Sequence, residues 1–264
     1  MRIASLVSGA VLLSALPFLL SSQDSARARS SGYLTAAATP DLIRVLPSAP
    51  EPGSARDAAD RAIFKATRSL RDSARWKLAQ GDDMLSVPAL LADFQCSMSM
   101  GANSESAPVL AGMLARVSTD AGSATGPAKD FFHRKRPFLV DQGQVCISIS
   151  PSFEKTFDYP SGHATLGWAV GLILAELEPD HATAILTRAR SFSESRVVCG
   201  VHNASAVEAG RTAGAALVAA LNGNAAFRSD LEKVRAELAL LRAKPSATSG
   251  GCASEMSLIT KSPY

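Results

Sequence analysis

Ala164 to Leu177 is the most apolar run beyond the chain's N-terminal region, and it constrains the fold more than any other segment. It falls short of the roughly 20 residues a membrane-spanning helix needs, with His163 before it and Glu176 inside it. Such a segment is stable only when other helices surround it. Candidates are plentiful. From Ser54 to Gly81, Ala58, Ala59, Ala62, Ile63, Ala66 and Leu70 recur at three- and four-residue steps. Val87–Phe94, Pro108–Val117, His181–Val198 and Ser205–Leu221 are also amphipathic at helical spacing. A further helix is expected from about Pro127, stopping before Pro137, since proline restricts the residue ahead of it. Strand-like alternation is confined to Gln144–Ser150. The fold class that follows is all-α: a single-domain helical bundle around a central apolar helix at about 164–177.

Residues 1–28 read as a signal peptide: Arg2, an apolar stretch from Ile3 to Leu20, and a small-residue cleavage site at Ala26-Arg27-Ala28. Residues 29–55 read as an extended segment, 56–243 as the helical domain and 244–264 as a polar tail. Export implies a periplasmic or secreted location. In that oxidising setting Cys96, Cys146, Cys199 and Cys252 suggest two disulfides, with all three connectivities open. No pair has zinc-ligand spacing. A net charge of +3, no long basic run and few stacking aromatics argue against a nucleic-acid partner. The mature chain has no membrane span; a homo-oligomer is compatible with it.

Three motifs carry chemistry. Lys129 and Arg136-Pro137 stand seven positions apart; on one helix that is two turns, about 10 Å, with both cations on one face. Arg offers a planar fork for phosphate oxygens and Lys a point charge. In Tyr159-Pro160-Ser161-Gly162-His163, Ser161 can cap the central helix, whose N-terminus then presents free N–H groups to an anion beside an imidazole. Arg196 ends a helix, and His202 follows the Cys199-Gly200 turn, placed to face back toward the same anion. The dense basic cluster His133-Arg134-Lys135-Arg136 would more often be a solvated loop than a recognition patch.

The order K-x6-RP, PSGH, SR-x5-H resembles the phosphatidic-acid-phosphatase type 2 superfamily, which includes vanadium haloperoxidases, and more closely the bacterial class A non-specific acid phosphatases. The resemblance spans roughly residues 32–220. It implies that Lys129, Arg136, Ser161, Gly162 and Arg196 bind phosphate, that His202 is the nucleophile and that His163 protonates the leaving alcohol. It implies small phosphomonoester substrates, inorganic phosphate or vanadate as ligands, and no cofactor or metal. An integral lipid phosphatase does not fit a mature chain without spans.

The stretch after His202 departs from that pattern, with Asn203 and Ala204 where the family usually has Trp and Gln. The family carries an Asp four residues after the nucleophilic His; here Ala206 stands there. A carboxylate orients the imidazole and stabilises its cation, and its loss in an analogous triad costs about ten-thousandfold in rate. Glu208 is a poor substitute, since it lies on another side of the helix and Ser205-x-x-Glu208 reads as a capping box. Two readings stay open: a slowed acid phosphatase that Ala206→Asp would accelerate, and a phosphate-binding pseudoenzyme that keeps only the cage.

Overall fold

The computed structural model describes Met1, residues 31–243 and residues 251–264; the signal-peptide reading falls on residues outside these. The described residues fold into eleven α-helices and no strand: α1 (Leu42–Val45), α2 (Ala55–Thr67), α3 (Ala74–Gly81), α4 (Val87–Met98), α5 (Pro108–Phe132), α6 (Pro151–Glu154), α7 (Gly162–Leu177), α8 (Ala182–Val198), α9 (Ala204–Asn222), α10 (Ala225–Arg242) and α11 (Cys252–Ile259). Gln144–Ser150 is a loop, not a strand. Its backbone is taken up individually: Cys146 N–H donates to Cys199 O, and Gln80 Nε2 to Cys146 O.

The apolar run becomes α7, packed against α8, α9 and α5. Ala164, Ala169, Val170, Ile173 and Leu174 are fully buried, as a helix apolar on every side requires. Small residues set how close its neighbours come. A Cβ on Gly171 would stand 2.3 Å from Ala189 Cβ of α8, and one on Gly210 of α9 would stand 2.6 Å from Ser161 O. These approaches carry the ends of α8 and α9 to the N-terminus of α7. None of the described helices is long and apolar enough to cross a membrane.

Two expectations are corrected. The helix expected at 127–136 is the end of the longer α5, which runs through Pro127 and stops at Phe132. His133 closes it in the left-handed region, at φ 49°, and the chain is extended by Arg136 (ψ 150°), ahead of Pro137. The segment 244–264, read as a polar tail, holds a helix in its described residues. Cys252 bonds to Cys96, α11 follows, Ile259 is buried, and Arg190 donates to the Ile259 and Thr260 carbonyls. The second disulfide joins Cys146 to Cys199.

Candidate functional site

Lys129 lies in the last turn of α5, and its Nζ donates to Phe157 O at 2.7 Å. Arg136 sits beyond that helix, so the two cations do not share a helix face; they arrive from a helix end and an extended segment. Arg136 is buried with its guanidinium over the Phe153 ring at 4.0 Å. Its Nε donates to Thr156 Oγ1 at 3.0 Å, and Nη1 to Val201 O at 2.7 Å. Nη1 also stands 3.1 Å from His202 Nε2. Of the basic cluster, His133 and Lys135 are exposed as expected, but Arg134 and Arg136 are turned inward.

Ser161 caps α7, its Oγ accepting from Ala164 N–H, so the hydroxyl proton remains free to donate. The first-turn N–H groups, Gly162 and His163 among them, have no intrahelical acceptor. A Cβ on Gly162 would lie 4.0 Å from Lys129 Cε, which puts the helix start beside the lysine. Ser161 N–H donates to Ala206 O at 2.9 Å, tying this turn to α9.

Arg196, in the last turn of α8, is fully buried. Among the described residues its guanidinium makes no well-directed hydrogen bond; Asp83 Oδ1 lies 2.8 Å from Nη2 as an ion pair. A buried guanidinium with unused donors is costly unless an anion takes them up. His163 Nε2 stands 3.1 Å from Asp83 O. A carbonyl only accepts, so Nε2 carries the proton there and Nδ1 is the other working nitrogen.

His202 lies in the turn after α8, which Gly200 (φ 81°) makes possible and the Cys146–Cys199 bond holds. Arg68 closes the end of α8, donating to Val197 O and Val198 O. The resulting sharp turn aims the imidazole back at Arg136. Burial, then Arg136, Lys129 and Arg196, pushes the His202 pKa well below the usual histidine range. Burial and Arg196 depress His163 in the same way. Lys129 is lowered by burial and by Arg136 beside it. In all three burial is the larger cause, and the neighbouring cations add to it.

The residue missed from sequence is Asp158. Fully buried, it accepts from His202 Nδ1 at 2.9 Å and from Asn203 N–H at 3.1 Å through Oδ1, and from Asn203 Nδ2 at 2.8 Å through Oδ2. Arg134 Nη1 is 3.4 Å from Oδ2. The one available signal was an acidic residue immediately before the Tyr159–His163 turn. Glu208, by contrast, is exposed and pairs with Arg56 at 3.3 Å. The capping box does not form: Asn203 is the N-cap of α9, and Ser205 bonds Asp60.

This is an all-α protein whose buried cations and two histidines meet at one helix N-terminus. Residues 107–228, which contain every one of these motifs, match the PAP2 superfamily. The chain is 41% identical over 199 residues to an acid phosphatase of Zymomonas mobilis subsp. mobilis, covering 75% of each. It is 33% identical to a non-specific acid phosphatase of Providencia stuartii, covering 80% of this chain and 86% of that one. A non-specific acid phosphatase of Salmonella typhimurium is 35% identical, with 68% and 72% covered. The chain therefore belongs to the PAP2 superfamily, in its acid phosphatase family.

Proposed function

We propose that this chain hydrolyses phosphomonoesters through a phosphohistidine on His202. The observation that carries the reading is His202 itself, with one ring nitrogen held by a carboxylate and the other facing Arg136 at 3.1 Å. Lys129, Arg136 and Arg196 would spread over the phosphoryl oxygens, joined by the Ser161 hydroxyl and the Gly162 amide. Nε2 of His202 attacks phosphorus while the phosphorus–ester oxygen bond breaks, and His163 gives a proton to the departing alkoxide. Water then attacks the phosphohistidine, yielding its proton to His163 and releasing phosphate and free His202. The bound dianion offsets the neighbouring cations and works to raise the His163 pKa, which favours the charged acid when the ester is present. In this reading the cations do the work a metal would otherwise do. Vanadate, with the shape of phosphate in transfer, would compete for the cage. Two disulfides fit work in an oxidising compartment, the periplasm or outside the cell.

Steady-state hydrolysis tests this reading with two leaving groups. p-Nitrophenolate leaves with little help, whereas an alkoxide needs its proton. His163→Ala is expected to slow glycerol phosphate by about 10²–10⁴-fold and p-nitrophenyl phosphate far less. His202→Ala is expected to remove turnover of both, by roughly 10⁴-fold or more. Wild-type protein that binds phosphate tightly but turns over neither ester would instead establish a phosphate-binding pseudoenzyme.

A further inference from the structure

We infer that Asp158 is the positioning carboxylate of His202, performing from the turn before α7 the task that the family pattern gives to position 206. The inference rests on reading His202 as the nucleophile.

The hydrogen-bond chemistry leaves one arrangement. Arg136 has only donors, so His202 Nε2, 3.1 Å from its Nη1, must present a lone pair. The neutral ring then carries its proton on Nδ1, and that proton points at Asp158 Oδ1, 2.9 Å away. This is the tautomer an attacking imidazole needs, with its free lone pair toward the cations that would hold the phosphoryl group. When the Nε2–phosphorus bond forms, the ring becomes cationic, keeps its Nδ1 proton and is stabilised by the carboxylate beside it.

Asp158 is itself held in one orientation. Oδ1 takes the His202 proton and the Asn203 N–H; Oδ2 takes the Asn203 amide and faces Arg134. Arg134 is fixed in turn by Asp60 and by Ser205 Oγ at 2.7 Å. Burial pushes the Asp158 carboxyl up, and Arg134 with the Asn203 donors pulls it back toward the charged form. Asn203 and Ser205 lie between His202 and Ala206, and both bond directly to this assembly. Ala206 is wholly buried, and its carbonyl holds Ser161 N–H. The carboxylate on Nδ1 thus comes from the turn before α7 and not from α9.

Asp158→Asn tests the assignment. The Asn203 side-chain amide and Arg134, both at the Oδ2 position, favour the new amide's oxygen there and its NH2 toward His202, driving the ring proton onto Nε2. The variant is expected to bind inorganic phosphate and to keep KM for p-nitrophenyl phosphate within a few-fold of wild type. Its kcat is expected to fall by about 10³–10⁴-fold. A folded, phosphate-binding variant whose kcat stays within about threefold of wild type overturns the inference. Should Asp158→Asn not fold, nitrogen NMR of the wild-type His202 ring reads the same point. A protonated Nδ1 with bare Nε2 supports the assignment, and the opposite tautomer overturns it. Absence of turnover in wild type would defeat the proposed reaction instead, and the tautomer measurement would still decide the role of Asp158.

Discussion

Ala206 shares an apolar cluster with Tyr159, Ala124, Ala128, Ala209 and Ala213, and its own exposure is nil. The family pattern made Ala206→Asp look like a repair. His202 Nδ1 has one proton to give, however, and Asp158 already takes it. A second carboxylate at 206 would be buried among methyl groups, at a cost of several kcal/mol when left charged and without partners. We expect Ala206→Asp to leave kcat no higher than wild type and to lower the melting temperature; a gain in kcat would mean that Asp158 is not an adequate partner. The cations and histidines were legible in the sequence because each belongs to a fixed short spacing. Asp158 was not, because its role exists only through a contact with a residue 44 positions away. Arg134 was hidden for the same reason: three of the acids that surround it, Asp57, Asp60 and Asp158, come from two other segments.

At the scale of elements, the helical periodicity of α2, α4, α7, α8 and α9 was readable, since each buries one face or all of itself. The end of α5 was not. Proline at 127 suggested a helix start, yet α5 carries it in its interior, and the break comes instead at His133, whose left-handed backbone no periodicity announces. That break changes the site, because it detaches Arg136 from the lysine's helix and lets it reach Val201 and His202. The register of α9 on α7 is equally silent in the sequence and rests on Gly210. Alanine there gains about 1 kcal/mol of helix propensity. Its Cβ would lie 2.6 Å from Ser161 O and 2.7 Å from Ala164 Cβ, and a backbone carbonyl cannot swing aside. Overpacking of this kind costs about 1–3 kcal/mol. Gly210→Ala is therefore expected to lower stability and, by moving the Ser161 turn, to reduce kcat by about tenfold or more. Gly122→Ala in α5, where a Cβ meets nothing within 4 Å, is the control and should be neutral or stabilising. Equal melting temperatures and rates for the two variants would refute this account of the α7–α9 contact.

The whole molecule is closed by two crosslinks with different duties. Cys96–Cys252 spans 156 positions and fastens α11 to α4, where Glu255 also meets the buried Arg188 at 2.8 Å. Cys146–Cys199 spans 53 positions and fastens the loop before α6 to the turn that delivers His202. Loop-closure entropy grows only with the logarithm of length, giving about 5 kcal/mol for the longer loop and about 4 kcal/mol for the shorter. On stability alone the two bonds should be nearly equivalent. Their effects on rate should not be. Val201 O holds Arg136, and His202 stands next to it, three residues beyond Cys199. Loosening Cys199 therefore loosens a cation and the nucleophile together, although Arg68 still grips the Val197 and Val198 carbonyls and keeps α8 closed. We expect Cys96→Ser/Cys252→Ser to lower the melting temperature with kcat within about twofold of wild type. Cys146→Ser/Cys199→Ser should lower the melting temperature by a similar amount and kcat by about tenfold or more, the scale on which small misplacements of reacting groups act. Both double variants are measured well below their unfolding transitions, so that rate reports on geometry and not on the folded fraction. Equal kcat in the two would mean that Arg68 and the packing around Gly200 hold the His202 turn unaided.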